Sequence, residues 1–174
     1  TRKEFKHLVN YSRNIGIEMF ASVFDEERLE WCEDENIKIH KIASRTVDDK
    51  KLCEKIISTG KPVIFSLGMY DYKNKEVPFE NKNIKYLYCV SKYPTSLTDI
   101  EMPDFQNSIF DGFSDHTIGT SASIYAISKG AKIIEKHFSL NKSQNISTQK
   151  GHVCSMDSDD LREIRYHADN ITLM

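Results

Sequence analysis

The sequence predicts an α/β fold, a (β/α)8 TIM barrel of which this chain supplies about six of the eight strands. Helical and strand-like segments alternate along the 174 residues, which is typical of a parallel sheet covered by helices. Most strand-like segments are near-continuous apolar runs, as expected for strands buried on both faces. Five of the six runs carry a serine within two residues of their carboxyl end, and the last carries Glu-Lys-His there. Barrel enzymes build their sites at that end of the strands.

The strands are predicted from apolar runs and from the turn residues between them. No Gly-x-Gly-x-x-Gly follows any run, which disfavours the other common alternating fold, a doubly wound dinucleotide-binding sheet. Pro62 fits at the first position of its strand, because proline cannot donate to a sheet ladder. The segment 70–83 is polar and irregular, and 93–107 reads as a loop with at most a short helical turn. The six predicted strands cover 18–24, 37–44, 62–68, 84–91, 108–114 and 131–138.

The helices are predicted from apolar residues at helical spacing, from capping side chains and from glycine stops. In the first helix, one face is formed by Phe5, Leu8, Ser12 and Ile15. Three helices end before a glycine, namely Gly16, Gly60 and Gly130. Three begin after a capping side chain, namely Asp25, Thr117 and Asp157. The predicted helices cover 2–15, the segment after Asp25, 48–60, 118–129 and 158–170.

Composition argues against several classes of function. The net charge is −2 at pH 7, so no basic surface supports binding to nucleic acid or to a membrane surface. The four cysteines are scattered and form no Cys-x-x-Cys pair, which indicates reduced thiols rather than disulfides or a zinc site. No stretch has the apolar length of a signal peptide core or a membrane span. We therefore expect a cytoplasmic location.

Two histidines, His116 and His137, each follow an apolar run in FSDHTIGTSASIYAISKGAKIIEKHF (113–138). If the runs are adjacent parallel strands, the imidazoles arrive side by side at one face, with about 5 Å between strand axes. Two neutral imidazoles suit Mn, Fe, Co or Zn and leave positions for water and substrate, as a Lewis-acid catalyst requires. Asp115 and Glu135 are placed to accept hydrogen bonds behind them or to carry protons. Alternatively, each histidine is only a satisfied polar residue at a strand end.

Lys41 and Tyr93 are further candidates. Lys41 lies in the apolar run IKIHKIAS, where an unpaired buried lysine is costly. It could bind a phosphate or carboxylate or form a Schiff base, or its ammonium group could simply reach an exposed end of the strand. Tyr93 could donate to a sugar or phosphate oxygen, although tyrosine is as often a packing residue. The strand-end serines are Ser22, Ser44, Ser66, Ser91 and Ser114, and serine is also common where strands turn into loops.

Five motifs together resemble the sialic acid synthase family, and they are KIAS, KPVIFSLGM, YCVSKYP, FSDHTIG and AKIIEKHF. That family condenses phosphoenolpyruvate with an N-acylated hexosamine, such as N-acetylmannosamine or a diacetamido-dideoxyhexose, and releases phosphate. The resemblance implies a (β/α)8 barrel followed by an antifreeze-like domain, in a homodimer. It also implies phosphoenolpyruvate and an N-acylated amino sugar as substrates, and Mn²⁺ as the metal.

The resemblance implies roles for individual residues as well. His116 and His137 match the family's manganese ligands, and Glu135 matches a glutamate between the barrel and the sugar. Tyr93 matches a tyrosine near the sugar, and Ser91 stands where some members carry asparagine. The residues that match the phosphoenolpyruvate site are Lys41, Ser44, Ser66 and Ser114. Ser22, also predicted to bind substrate, stands where the family often has threonine. We predict Glu135, Lys41 and Asp115 as the catalytic residues.

Departures from the family pattern leave the acceptor sugar open. Arg45-Thr46 replaces an acidic residue after the KIAS strand, Gly151 beside His152 takes the place of an aspartate, and 70–83 replaces a barrel helix. Two other functions also remain open. One is a barrel aldolase that uses Lys41 as a Schiff base, and the other is a barrel remnant without catalysis.

The chain is too short for a complete barrel. A complete barrel needs about 250 residues and eight strands. We therefore predict that residues 1–174 are the carboxyl-terminal three-quarters of a synthase-type barrel. The first strands and the antifreeze-like domain, which carry further site residues in the family, would lie outside this chain. The 174-residue piece alone is accordingly expected to be inactive.

Overall fold

The computed structural model describes residues 1–144 and 153–171, in which strands and helices alternate as predicted. The chain forms two compact units, Thr1–Phe65 with Tyr70–Lys85 and Ser66–Met69 with Tyr86–Met174. The strands are β1 (His40–Ile42), β2 (Val63–Ser66), β3 (Ile84–Cys89), β4 (Gly112–Asp115) and β5 (Ile133–Lys136). The α-helices are α1 (Arg2–Asn14), α2 (Glu26–Asp34), α3 (Lys50–Ile57), α4 (Ser121–Ser128) and α5 (Ser158–Ile171). None of the helices in these two ranges has both the length and the apolar character needed to cross a bilayer.

The first unit is built on a parallel pair of strands. In it, β1 and β2 are in register with Lys41 opposite Ile64. The Asp25 carboxylate caps α2 as predicted, by accepting from the Arg28 N–H at 2.8 Å. The buried apolar side chains of this unit include Val9, Val23, Leu29, Cys32, Ile42, Cys53, Ile56 and Phe65. Lys41 is 4% exposed among them, so of the alternatives that the sequence left open the structure shows a buried lysine.

The segment 18–24, predicted as the first strand, does not form a regular strand. A single parallel bridge joins Ser22 to Lys41, and the Val23 N–H donates to the Lys41 carbonyl oxygen at 3.0 Å. Val23 is fully buried, whereas Phe20 and Phe24 are 42% and 44% exposed. The apolar run lies beside a strand of only three residues, which is too short to pair with it further. The described residues therefore contain five strands rather than six.

The second unit carries the parallel strands β3, β4 and β5. Leu87 of β3 pairs with Gly112 of β4, and Gly112 pairs in turn with Ile133 of β5. Glycine is required there, because a Cβ at position 112 would lie 2.1 Å from the Ile133 carbonyl oxygen. The residue that follows β2 joins the same ladder, since the Leu67 N–H donates to the Leu87 carbonyl oxygen at 3.1 Å. The carboxyl ends of these strands therefore lie at one edge.

The helix after β4 begins later than predicted. Its N-cap is Thr120, and Thr117 instead forms a parallel bridge with Thr95. Gly119 has φ of +82°, outside the helical region, so the helix begins only after it. The predicted stops at Gly16, Gly60 and Gly130 are confirmed by positive φ values. The Asp157 cap is confirmed by its bonds from the Asp159 and Asp160 N–H groups, and 70–83 contains no helix or strand.

Buried His40 is expected to make the stability of the first unit sensitive to acid. Its side chain is fully buried, and its Nε2 lies 2.8 Å from Glu33 Oε1, which also accepts from Lys61 Nζ at 2.7 Å. Burial lowers the pKa of His40 below its ordinary value of 6.5, while Glu33 opposes this shift. The unfolded chain therefore binds a proton first on acidification. The free energy of unfolding is expected to hold steady above about pH 6.5 and to decline below it.

Urea denaturation about one pH unit above and below that value measures the dependence. The His40→Leu variant should show a flatter pH dependence than the parent protein, because the folded state then lacks this buried group. His7→Leu is the matched control, since it removes an exposed histidine of α1. A His40→Leu variant that loses stability in acid as steeply as the parent would contradict this role.

Candidate active site at the carboxyl ends of the strands

The structure brings His116 and His137 together in the second unit. Each lies one residue beyond the end of its strand, and the strands are in register with Asp115 opposite Lys136. The two ring centroids are 5.5 Å apart, with 41° between the ring planes. His116 is 7% exposed, whereas His137 is exposed. The predicted pairing of the two imidazoles at one strand edge is thus present, with one face open to solvent.

The His116 ring is held in one orientation by the backbone around it. Its Nδ1 lies 3.0 Å from the Val90 carbonyl oxygen, and its own carbonyl oxygen accepts from the Thr95 N–H at 2.8 Å. A carbonyl oxygen only accepts, so Nδ1 carries the proton and Nε2 keeps its lone pair. Burial also lowers the pKa of His116, which keeps the ring neutral. A neutral ring with a lone pair on Nε2 is the form that binds a metal.

Tyr93 packs against both histidines. Its ring centroid lies 4.1 Å from that of His116 and 5.9 Å from that of His137. The tyrosine as a whole is 43% exposed. Partial burial raises the pKa of Tyr93, and the phenol therefore stays protonated as a donor. The predicted tyrosine of the site is thus next to both imidazoles.

Glu135 forms the second polar group of the site, with two of the strand-end serines. Its Oε2 accepts from Ser114 Oγ at 2.6 Å and from Ser66 Oγ at 3.2 Å. Ser114 and Glu135 are also direct partners in the β4–β5 register. Both serines are 3% exposed. Three strand ends therefore contribute to one hydrogen-bonded cluster, which the sequence predicted only as separate residues.

Asp115 does not join that cluster, although the sequence predicted it as a catalytic residue. Side chains alternate along a strand, so Asp115 faces the side opposite Ser114. Its carboxylate is fully buried, lies 3.0 Å from Lys136 Nζ, and accepts from Ser123 Oγ at 2.6 Å and the Thr117 N–H at 2.7 Å. These contacts place Asp115 behind the site, against α4, and the geometry does not favour the predicted role in proton transfer.

Two residues near the histidines were not singled out from the sequence. Cys89 Sγ lies 3.8 Å from His116 Nδ1, and nothing in its sequence context indicates this contact. Gly68 follows β2, and a Cβ there would lie 2.5 Å from Ser91 Oγ and 2.8 Å from Cys89 Sγ. A glycine just after a strand is a known sign of close approach, so Gly68 could have been found from the sequence. Ser91, predicted to bind substrate, is exposed beside it.

The remaining predicted residues lie in the first unit. Ser22 bridges to Lys41, and Ser44 begins a short 3-10 helix directly after β1. Lys41 Nζ donates to the Ile42 carbonyl oxygen at 3.1 Å. Arg45 packs its guanidinium 4.2 Å from the centroid of the Phe24 ring, at a position where the sequence departs from the family. The departure at Gly151 and His152 lies outside the described residues.

The donor set suits a metal with two protein ligands. Across 1–144 and 153–171, no three or more His, Cys, Asp and Glu side chains converge as a metal cluster. His116 and His137, whose ring centroids are 5.5 Å apart, form a pair of imidazoles that could hold such a metal. Imidazole nitrogen suits Mn, Fe, Co and Zn. Because His116 Nδ1 donates to the Val90 carbonyl oxygen, the lone pair on His116 Nε2 is available to bind such a metal.

The chain is similar to several proteins of known name and structure. The NeuB family matches residues 1–174. Pseudaminic acid synthase of Helicobacter pylori is 37% identical over 147 residues, covering 78% of this chain and 43% of that protein. N-acetylneuraminate-9-phosphate synthase of Mus musculus is 29% identical over 174 residues, covering 92% and 47% respectively. The crystal structure of N-acetylneuraminic acid (sialic acid) synthetase from Leptospira borgpetersenii has a TM-score of 0.83 at 27% identity, covering 98% of this chain and 62% of that one.

The fold and the extent of the match follow from these values. The likeness to a solved synthetase over nearly the whole chain confirms the predicted fold class, a partial (β/α)8 barrel. The chain spans about half the length of the curated relatives it matches. Its predicted place within a longer barrel, and the domains around it, stay predictions.

Proposed function

Since the chain belongs to the NeuB family, we propose that the protein carrying it is a nonulosonic acid synthase. It condenses phosphoenolpyruvate with an N-acylated hexosamine and releases phosphate. The observation that carries this proposal is the pairing of His116 and His137 next to the Glu135 cluster at the strand ends. Relatives named as pseudaminic acid and N-acetylneuraminate-9-phosphate synthases support the same class of reaction.

The reaction needs one carbon–carbon bond formed and one carbon–oxygen bond broken. C3 of phosphoenolpyruvate adds to the aldehyde carbon of the open-chain sugar, water adds to C2, and the C2–O bond to phosphate then breaks. A divalent metal such as Mn²⁺, held by His116 and His137, supplies Lewis-acid polarisation of the aldehyde when bound. The protein's own groups orient the two substrates and move the protons.

Individual residues take roles that their contacts suit. Glu135, held by two serine hydroxyls, takes the proton that the water adding to C2 releases and delivers it to the aldehyde oxygen, which becomes a hydroxyl. Tyr93 offers its phenol to the sugar beside the two imidazoles. In the first unit, buried Lys41 supplies a cation for the phosphate or carboxylate of phosphoenolpyruvate. Ser22, Ser44 and Ser91 are proposed as further donors to the substrates.

A barrel aldolase is the second candidate, and the burial of Lys41 is the observation that favours it. Lys41 is 4% exposed, and a lysine sheltered from bulk water is a suitable position for a Schiff base. Borohydride reduction in the presence of pyruvate separates the two functions, because it fixes an imine to the lysine. The synthase reaction forms no imine, so covalent labelling of Lys41 would favour the aldolase.

Phosphate release from phosphoenolpyruvate by the whole protein is the direct test of the synthase. The assay uses Mn²⁺ and a panel of N-acetylmannosamine, its 6-phosphate and diacetamido-dideoxyhexoses. Release that requires both the metal and one sugar is expected, and the sugar identifies the acceptor. A folded, metal-loaded protein that releases no phosphate with any of these sugars would overturn the proposal.

A further inference from the structure

A buried ion pair behind the site, formed by Asp115 and Lys136, has no part in the proposed chemistry. Asp115 and Lys136 are partners in the β4–β5 register, their charged atoms lie 3.0 Å apart, and both side chains are 0% exposed. Each precedes one of the two histidines in the sequence. Because side chains alternate along a strand, the ion pair faces α4 while the histidines face the site.

The ion pair holds the backbone next to His116 from two directions. The Asp115 carboxylate accepts from the Thr117 N–H at 2.7 Å, and Lys136 Nζ donates to the Thr117 carbonyl oxygen at 2.6 Å. Both polar groups of the Thr117 backbone are therefore bound by the pair. Ser123 Oγ of α4 donates to the same carboxylate at 2.6 Å, which fixes the carboxylate itself.

Burial of this pair is not explained by stability alone. Two charges taken fully out of water lose hydration that their mutual attraction often does not recover, and apolar replacements of a buried pair are often neutral or stabilising. Besides the bond that Asp115 accepts from Ser123, the pair binds both polar groups of one backbone unit, that of Thr117, which follows His116. A role in orienting the backbone at the histidine accounts for both the charges and their direction.

We propose that the buried Asp115–Lys136 pair is a positioning device that locks His116 beside His137 with its Nε2 ready to bind metal. This inference rests on the proposed function, because it assigns a purpose to the pair at the proposed metal site. Asp115 and Lys136 act through Thr117 and through the strand register, and neither touches substrate. Groups that orient a ligand typically contribute about 10–100-fold to metal affinity.

The test uses paired substitutions, because removing one partner leaves an uncompensated buried charge that could unfold the protein. Asp115→Leu with Lys136→Met removes both charges and both bonds to Thr117. Asp115→Asn with Lys136→Met removes the charges but keeps an oxygen that accepts from the Thr117 N–H. Thr120→Val is the matched control, since it removes a hydrogen bond of 2.8 Å from Thr120 Oγ1 to Glu163 Oε2 in the same unit.

Two readouts are measured on the whole protein. The first is the affinity for Mn²⁺, followed by the paramagnetic signal of the free ion at temperatures well below unfolding. The Leu/Met variant should bind about 10–100-fold more weakly than the parent, the Asn/Met variant should recover part of that loss, and Thr120→Val should bind as the parent does. The second is the ¹⁵N resonance of the His116 imidazole without metal, which should report one tautomer in the parent and a mixture in the Leu/Met variant.

The outcomes separate this inference from the proposed function. Weaker Mn²⁺ binding together with a mixed tautomer supports the positioning role. Unchanged affinity and an unchanged tautomer in the Leu/Met variant overturn it, even if the parent binds Mn²⁺ well. If the parent protein binds no divalent metal, the metal-dependent function fails, and the tautomer of His116 alone decides the positioning role.

Discussion

Replacing His137 or His116 by alanine is expected to lower the rate of sugar-dependent phosphate release at least about 10³-fold in the whole protein. Polarisation of the aldehyde by a metal lowers the activation barrier by several kcal/mol, and about 1.4 kcal/mol corresponds to a tenfold change in rate. The two imidazoles lie side by side, with their ring centroids 5.5 Å apart, and are the proposed ligands of that metal. Elemental analysis after dialysis should show that bound Mn²⁺ is lost along with turnover.

His137→Ala is the cleaner of the two variants. His137 is exposed, whereas His116 is buried and bonded to the Val90 carbonyl oxygen, so the His116 substitution disturbs packing more. The melting temperature of His137→Ala should therefore stay close to that of the parent. His7→Ala in α1 serves as the control for loss of a histidine from an exposed position. If the His137→Ala protein kept the turnover of the parent, the proposed reaction would not depend on a metal held by His137.

Glu135→Gln is expected to lower the same rate by about 10²–10⁴-fold, the range for loss of a general acid or base. The amide carbonyl oxygen can still accept from Ser66 and Ser114, so the cluster keeps its shape while losing the proton. Mn²⁺ affinity should remain close to the parental value, because Glu135 is not a proposed ligand. This combination distinguishes proton transfer from metal binding.

Single-turnover phosphate release measures the chemical step directly for this variant. Glu163→Gln is the matched control, since it makes the same change from carboxylate to amide in the second unit. Its carboxylate accepts from Thr120 at 2.8 Å, next to α4. Glu135→Gln with a rate within a few-fold of Glu163→Gln would show that Glu135 serves only to align the serines.

The local signals in the sequence were sufficient for most of the fold. The apolar runs located β1 to β5, because a strand that is buried on both faces has a continuous apolar pattern. The run over 18–24 has the same pattern but forms only one bridge. Strand formation there depends on a pairing partner, which the run itself cannot specify. Gly119 could have indicated from the sequence that α4 starts late. Its positive φ, however, is known only from the structure.

By itself, the sequence determined that two imidazoles and several serine hydroxyls arrive at the carboxyl ends of parallel strands. It did so because chain direction and strand length decide which end of a strand a residue occupies. Only the tertiary structure decided what each group does there. Asp115 and His116 are neighbours in sequence, yet one is buried against α4 and the other faces the site. Glu135 gathers Ser66 and Ser114 from two other strands, because contacts across a sheet are set by strand register and burial rather than by spacing along the chain.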